Sequence, residues 1–238
     1  MRKGLVVSDL HLFSARSSAE KLLHDLSPVL RRVDLLVLNG DTFDFRWSTL
    51  ASEQETLAEA RRWLERWLGL FAGREIHYVI GNHDCLTGFC TMLEEIAAES
   101  AVLKVYPRQL VLGSSLFLHG DCANRCMSVE RLEAYREQWS RDRQRGAIGR
   151  HFYRVVDASG AGLLFHRSYF PQAATVGRVS SYLDQARPQW REGIRDCYFG
   201  HTHMPFRDHE AGGVRFHNTG SAIRRMGFQP LEFVIEDT

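Results

Sequence analysis

The chain has 238 residues, enough for one large α/β domain or one domain with a cap, and its 44% hydrophobic and 25% charged residues describe an ordinary globular protein. A formal net charge of +1 supplies no global field for nucleic acid or an anionic membrane, and no apolar run approaches the roughly 20 residues that span a bilayer. Five cysteines, an odd number with no secretory signal ahead of the first strand, argue against a disulfide scaffold and for a reducing cytosol. Of the 30 basic residues, 27 are Arg. Arg grips phosphate with a planar fork, although a GC-rich genome produces the same bias.

In chain order, Gly4–Ser8 reads as a short buried strand that delivers Asp9 and His11 on one side of an extended segment. Ser17–Glu20 resembles a capping box and predicts a helix to about Arg31, with Pro28 disturbing its last turn. Asp34–Leu38 is a second buried strand, ending in Asn39–Gly40–Asp41–Thr42–Phe43–Asp44. Ser52 with Glu55 forms another capping box, and Leu57, Ala60, Leu64, Trp67, Leu68 and Phe71 predict a helix that Gly73 stops. Ile76–Ile80 is a third strand leading into Gly81–Asn82–His83–Asp84, and a short helix follows over about 88–98. Gln109–Leu112 and Ser115–Leu118 read as a hairpin around Gly113–Ser114, whose second strand delivers His119–Gly120–Asp121. Chemistry thus falls at the carboxyl ends of strands, where open α/β sheets bind ligands.

Residues 122–195 break this rhythm and read as mainly helical. They hold 13 Arg, no Lys, and an aromatic and apolar patch, Leu163–Leu164–Phe165 with Tyr169–Phe170. The segment is a substrate-facing cap or an ordinary helical excursion; the Arg concentration between two chemistry-bearing loops favours the cap. Asp196–Phe199 is then a strand entering Gly200–His201–Thr202–His203, and strands at Val214–His217 and Leu231–Ile235 close the chain around a turn at 218–221.

Each group of Asp, His and Asn taken alone is compatible with a structural turn. Together, Asp9, His11, Asp41, Asn82, His119, His201 and His203 exceed the needs of one tetrahedral metal and suit two ions sharing a carboxylate. Such a pair ionises a shared water near neutral pH and neutralises phosphoryl oxygens. Mn²⁺ is the expected metal, with Fe, Zn²⁺ and Mg²⁺ compatible with the same donors.

Asp-x-His, Gly-Asp-x-x-Asp, Gly-Asn-His-Asp, His-Gly-Asp and Gly-His-Thr-His, in this order from residue 9 to 203, resemble the calcineurin-like metallophosphoesterase superfamily. The resemblance implies an α/β fold, a four-layer αββα sandwich of two mixed sheets, here one domain over 1–238 with a helical cap insertion at about 122–195. It implies that Asp9, His11 and His203 hold one metal, that Asn82, His119 and His201 hold the second, and that Asp41 bridges them. His83 matches the histidine that faces the substrate and protonates the leaving oxygen, and Asp44 matches the carboxylate that orients it. Asp84 and Asp121 are expected to support ligands or turns. His24, His77, His151, His166, His209 and His217 carry no motif and are expected to be structural or on the surface.

Chain length and the insertion also resemble the UDP-2,3-diacylglucosamine pyrophosphatases of lipid A synthesis. That likeness implies a small phosphorylated or lipid-linked substrate and a cytoplasmic enzyme, peripheral to the inner membrane face and touching lipid through the cap. The subgroup typically has Arg where this chain has His83 and Glu where it has Asp44. That difference keeps open a general phosphomonoesterase or phosphodiesterase. A nuclease is disfavoured by the near-zero charge.

Overall fold

The computed structural model describes residues 1–146 and 161–236. Two five-stranded mixed sheets stack face to face. The first has β1 (Arg2–Val7), β2 (Leu35–Asn39), β3 (Glu75–Val79), β4 (Leu103–Tyr106) and the last strand, β10 (Leu231–Ile235), in the order β10-β1-β2-β3-β4. The second has β5 (Gln109–Leu112), β6 (Ser115–Leu118), β7 (Asp196–Phe199), β8 (Phe206–Ala211) and β9 (Val214–Asn218), in the order β5-β6-β7-β9-β8. Strands β1 to β4 run parallel, as do β6, β7 and β9.

The strict alternation of strand side chains builds three apolar layers. Val6, Val37, Val79, Phe117, Tyr198 and Phe233 meet between the sheets. Leu5, Leu36, Leu38, Ile76 and Tyr78 point the other way, onto α1 (Ala19–Asp25), α2 (Ser27–Leu30), α3 (Glu53–Leu70) and α4 (Thr87–Glu99). Leu116, Leu118, Cys197 and Phe199 face out from the second sheet. This is the four-layer αββα sandwich. Each fully buried aliphatic or aromatic side chain contributes about 1.5–3 kcal/mol.

The insertion divides between two tasks. Val176, Val179, Tyr182 and Leu183 of α7 (Gln172–Ala186), with Leu132 of α5 (Val129–Ser140), form the outer layer of the second sheet. The far end of α5 and α6 (Ala161–Tyr169) instead lean over the carboxyl ends of the strands. Residues 147–160, including His151, lie outside the described residues, as do 237–238. Among the described residues, no helix is long and apolar enough to cross a membrane.

Local details depart from expectation at four places. The helix expected to run to Arg31 breaks at Leu26, because Pro28 sits in the first turn of a separate α2. Ser18 caps α1 without a side-chain hydrogen bond, so the expected capping box does not form there. Ser17 instead donates to the Leu10 carbonyl. At the second box the Ser52 cap does form, with Glu55 N–H donating to Ser52 Oγ, while Glu55 Oε2 accepts from Ala51 N–H, one residue before the cap. Strands β4 and β8 were not expected. Both are sheet edges, and β8 (Phe-Arg-Asp-His-Glu-Ala) carries the charges that protect an exposed edge, so it has no apolar face to read.

Candidate metal centre

All five motif loops leave the carboxyl ends of parallel strands: those after β1, β2 and β3 of one sheet, and those after β6 and β7 of the other. Asn39 fastens the two sheets at this end. Its side-chain amide donates to the carbonyls of Leu118 (2.9 Å) and Tyr198 (3.2 Å). The loops then bend sharply. Asp9, His11, Asp41, His201 and His203 all have φ between 46° and 64°. Non-glycine residues seldom adopt this left-handed conformation, and strain of about 1–3 kcal/mol per residue persists where function requires it. Gly81 and Gly200 permit close approach. A Cβ on Gly81 would lie 2.3 Å from Asp41 Oδ1, and one on Gly200 would lie 2.1 Å from Asp9 Oδ2.

The seven sequence-predicted ligands converge in two adjoining groups. In the first, His203 Nε2 lies 3.2 Å from both His11 Nε2 and Asp9 Oδ1. In the second, His119 Nε2 lies 3.2 Å from His201 Nδ1 and 3.3 Å from Asn82 Oδ1. Asp41 joins them: its Oδ2 is 3.7 Å from His11 Nε2, and its Oδ1 is 3.3 Å from His119 Nε2. Asp9, His11, Asp41, Asn82 and His119 are all nearly inaccessible to solvent.

Supporting contacts fix each donor. His119 Nδ1 faces the Asn39 carbonyl at 3.2 Å, which directs its Nε2 lone pair inward. Ser8 Oγ and His201 N–H donate to Asp9 Oδ2, and Ser221 Oγ donates to the Asp9 carbonyl. Asn218 Nδ2 donates to Gly200 O and Thr202 Oγ1, so the expected turn at 218–221 is a buried support of the site. Asp84 accepts from Tyr78 Oη, Thr42 N–H and Gly81 N–H, locking two motif loops together. Asp121 pairs bidentately with Arg136.

The electrostatics fit cations. Burial works against a charged His119, yet Asp41 outweighs it and lifts the imidazole to about 10. The pocket therefore draws in positive charge, which a divalent ion supplies better than a proton. Burial, reinforced by neighbouring imidazoles, holds His201 down at about 3 and His203 well below the histidine range, so both keep lone pairs for coordination. Oxygen and imidazole donors in this number suit Mn²⁺, Fe, Zn²⁺ or Mg²⁺.

Beside the cluster, His83 Nδ1 lies 3.0 Å from Asp44 Oδ1. Burial opposes the imidazolium, but Asp44 and Asp41 prevail and raise His83 above its ordinary value. Asp44 also approaches His11 Nδ1 at 3.5 Å.

The structure brings in four neighbours that the motifs did not mark. His166 of α6 stacks on His203 at 4.8 Å, with Nδ1 at 3.0 Å from the Thr202 carbonyl. Trp139 of α5 packs on His83 at 4.6 Å and carries the Arg46 guanidinium over its ring at 4.5 Å. Asn124 Oδ1 lies 2.8 Å from His201 Nε2. These residues sit in or touch the insertion, whose return path has no local sequence signal. Among its described Arg, Arg136 binds Asp121, Arg178 caps the Ala123 carbonyl, and Arg141, Arg191 and Arg195 pair with Glu137, Asp184 and Glu236. His77 lies instead at the far end of the strands with Glu75 and Tyr106, and His217 stacks on Tyr198 beside Asp196.

A two-sheet sandwich with Asp, Asn and His loops at one end defines a metal-dependent phosphoesterase. The profile for calcineurin-like phosphoesterases matches residues 3–205, and the chain belongs to that family. Similar solved structures include a phosphopantetheinyl hydrolase from Mycobacterium tuberculosis (15% identity, 92% of this chain and 90% of that one, TM-score 0.43). Others are the phosphoesterase Yfce from E. coli (14%, 92% and 80%, 0.38) and a dimetal phosphatase from Danio rerio (11%, 93% and 88%, 0.46). A search of curated proteins returned no match.

Proposed function

We propose that this metal-dependent hydrolase cleaves a phosphodiester or pyrophosphate bond at a two-cation centre, with Mn²⁺ as the working ion. Asp9, His11 and His203 would hold one cation, Asn82, His119 and His201 the other, and Asp41 both. The observation that carries this reading is Asp41, which offers one carboxylate oxygen to each group. When bound, the cations supply Lewis acidity toward a water nucleophile and neutralise the phosphoryl oxygens.

The chain's own contribution is proton delivery. His83 donates its Nδ1 proton to Asp44, which presents the Nε2 proton toward the leaving oxygen. A raised affinity for that proton keeps the acid form populated near neutral pH. Trp139 packs against the imidazole from the side.

For the substrate, exposed Leu164 and Tyr169 on α6, near His166 and buried Phe170, support a lipid-linked diphosphate of the UDP-2,3-diacylglucosamine type, met at the cytoplasmic membrane face. The His83–Asp44 pair favours a second reading, a general phosphoesterase acting on monoesters or diesters, because it is the dyad form of the wider superfamily. Asp41→Ala tests the shared core of both readings. It should abolish turnover of bis(p-nitrophenyl) phosphate and release both ions, and full metal occupancy in that variant would refute the assignment. Comparing UDP-diacylglucosamine with nucleotide diphosphate-sugars and simple monoesters on Mn²⁺-loaded protein separates the substrate classes.

A further inference from the structure

The second group of donors is steadied from the insertion, through a chain of contacts that no motif marks. His201 directs Nδ1 at His119 Nε2, 3.2 Å away, so Nδ1 is the atom facing the centre. Its other ring nitrogen, Nε2, lies 2.8 Å from Asn124 Oδ1. An amide oxygen only accepts, so this contact keeps the ring proton on Nε2 and leaves the lone pair on Nδ1. Asn124 ends the one-turn 3₁₀ helix at Asp121–Asn124 that follows the His119 loop.

Three residues of α5 border this chain of contacts. The Tyr135 ring meets the Trp139 ring edge-on, with centroids 6.0 Å apart. Trp139, one turn along α5, packs on His83. Arg136, between them, clamps the same 3₁₀ helix through Asp121 at 2.7 and 3.0 Å.

We propose that Asn124 is a positioning residue for His201, held by the Arg136 clamp on its 3₁₀ helix, so that α5 of the insertion sets the affinity of the second metal position. The proposal rests on the two-cation reading above, and its test separates the two. Metal-free protein is titrated with Mn²⁺ by calorimetry, and bound metal is counted by mass spectrometry after gel filtration. Wild-type protein binding fewer than two ions overturns the two-cation reading itself.

With two ions bound to wild type, Asn124→Ala should keep the first at wild-type affinity and weaken the second about 10–100-fold. Asn124→Asp, which retains the acceptor, should recover most of that loss. Unchanged binding in Asn124→Ala, or a loss in Asn124→Asp equal to that in Asn124→Ala, overturns the positioning role. Equal weakening of both ions also overturns it, because it marks a general structural effect.

Discussion

Replacing Arg136 with Met should unfold the insertion's anchor while leaving every donor of the centre in the sequence. The Arg136 guanidinium meets both oxygens of Asp121 at 2.7 and 3.0 Å and also donates to the Pro107 carbonyl. Its side chain is 15% exposed and that of Asp121 is 2% exposed, so the pair is shielded from solvent and salt. Burial works against ionising Asp121, but Arg136 more than offsets it and holds the carboxyl below its usual range. Removing one partner of such a pair leaves an uncompensated buried charge and costs about 3–5 kcal/mol. At about 2–4 °C per kcal/mol for a chain of this size, the melting temperature should fall by about 6–20 °C. Differential scanning fluorimetry at pH 7 reads this directly. Adding Asp121→Asn removes the stranded charge and should restore most of the loss. A single variant melting within 2 °C of wild type would refute the assigned role of the pair.

Two further predictions concern protonation at opposite ends of the same strands. His83→Ala should retain both ions and lose about 10²–10⁴-fold in turnover, with the larger losses on esters whose leaving groups are poor. Since His83 acts as an acid and its pKa is raised, activity should fall as pH rises through that value. Asp44→Asn should move this alkaline limb to lower pH, and an unmoved limb would remove Asp44 from the dyad. At the far end, Glu75 is held at about 2: partial burial opposes ionisation, but Lys104, Arg2 and His77 prevail. A depressed carboxyl stabilises the fold above its unfolded pKa, about 4.3, and loses that contribution as pH falls toward 2. Glu75→Gln should therefore lower urea stability at pH 6, with the gap to wild type closing between pH 5 and 2. A constant gap would show that ionisation of Glu75 is not involved.

What the sequence makes legible follows from how local each signal is. Strand β2 is buried on both faces and appears as an apolar run, Leu35–Leu38; β1 shows a shorter run over Leu5–Val7, and β3 a mostly apolar one interrupted by His77. The seven donors are legible because few residue types coordinate hard cations and each one closes such a run. Strand β8 carries no such signal, since an edge strand with both faces half in water needs charge rather than hydrophobicity. Asn124, Tyr135, Trp139 and His166 are illegible for another reason. Their positions depend on how residues 122–195 fold back, and no periodicity encodes that path. The Arg excess of this segment reads as a phosphate grip, yet Arg136 and Arg178 fasten the chain to itself. Arg count alone does not distinguish a substrate clamp from an internal one.

The central claim is that two cations share Asp41. Anomalous diffraction from crystals grown with Mn²⁺ tests it most directly. Two peaks are expected, about 3.5–4 Å apart. One should lie among Asp9, His11 and His203, the other among Asn82, His119 and His201, with Asp41 touching both. A single peak, or two peaks with Asp41 bound to only one, would contradict the account.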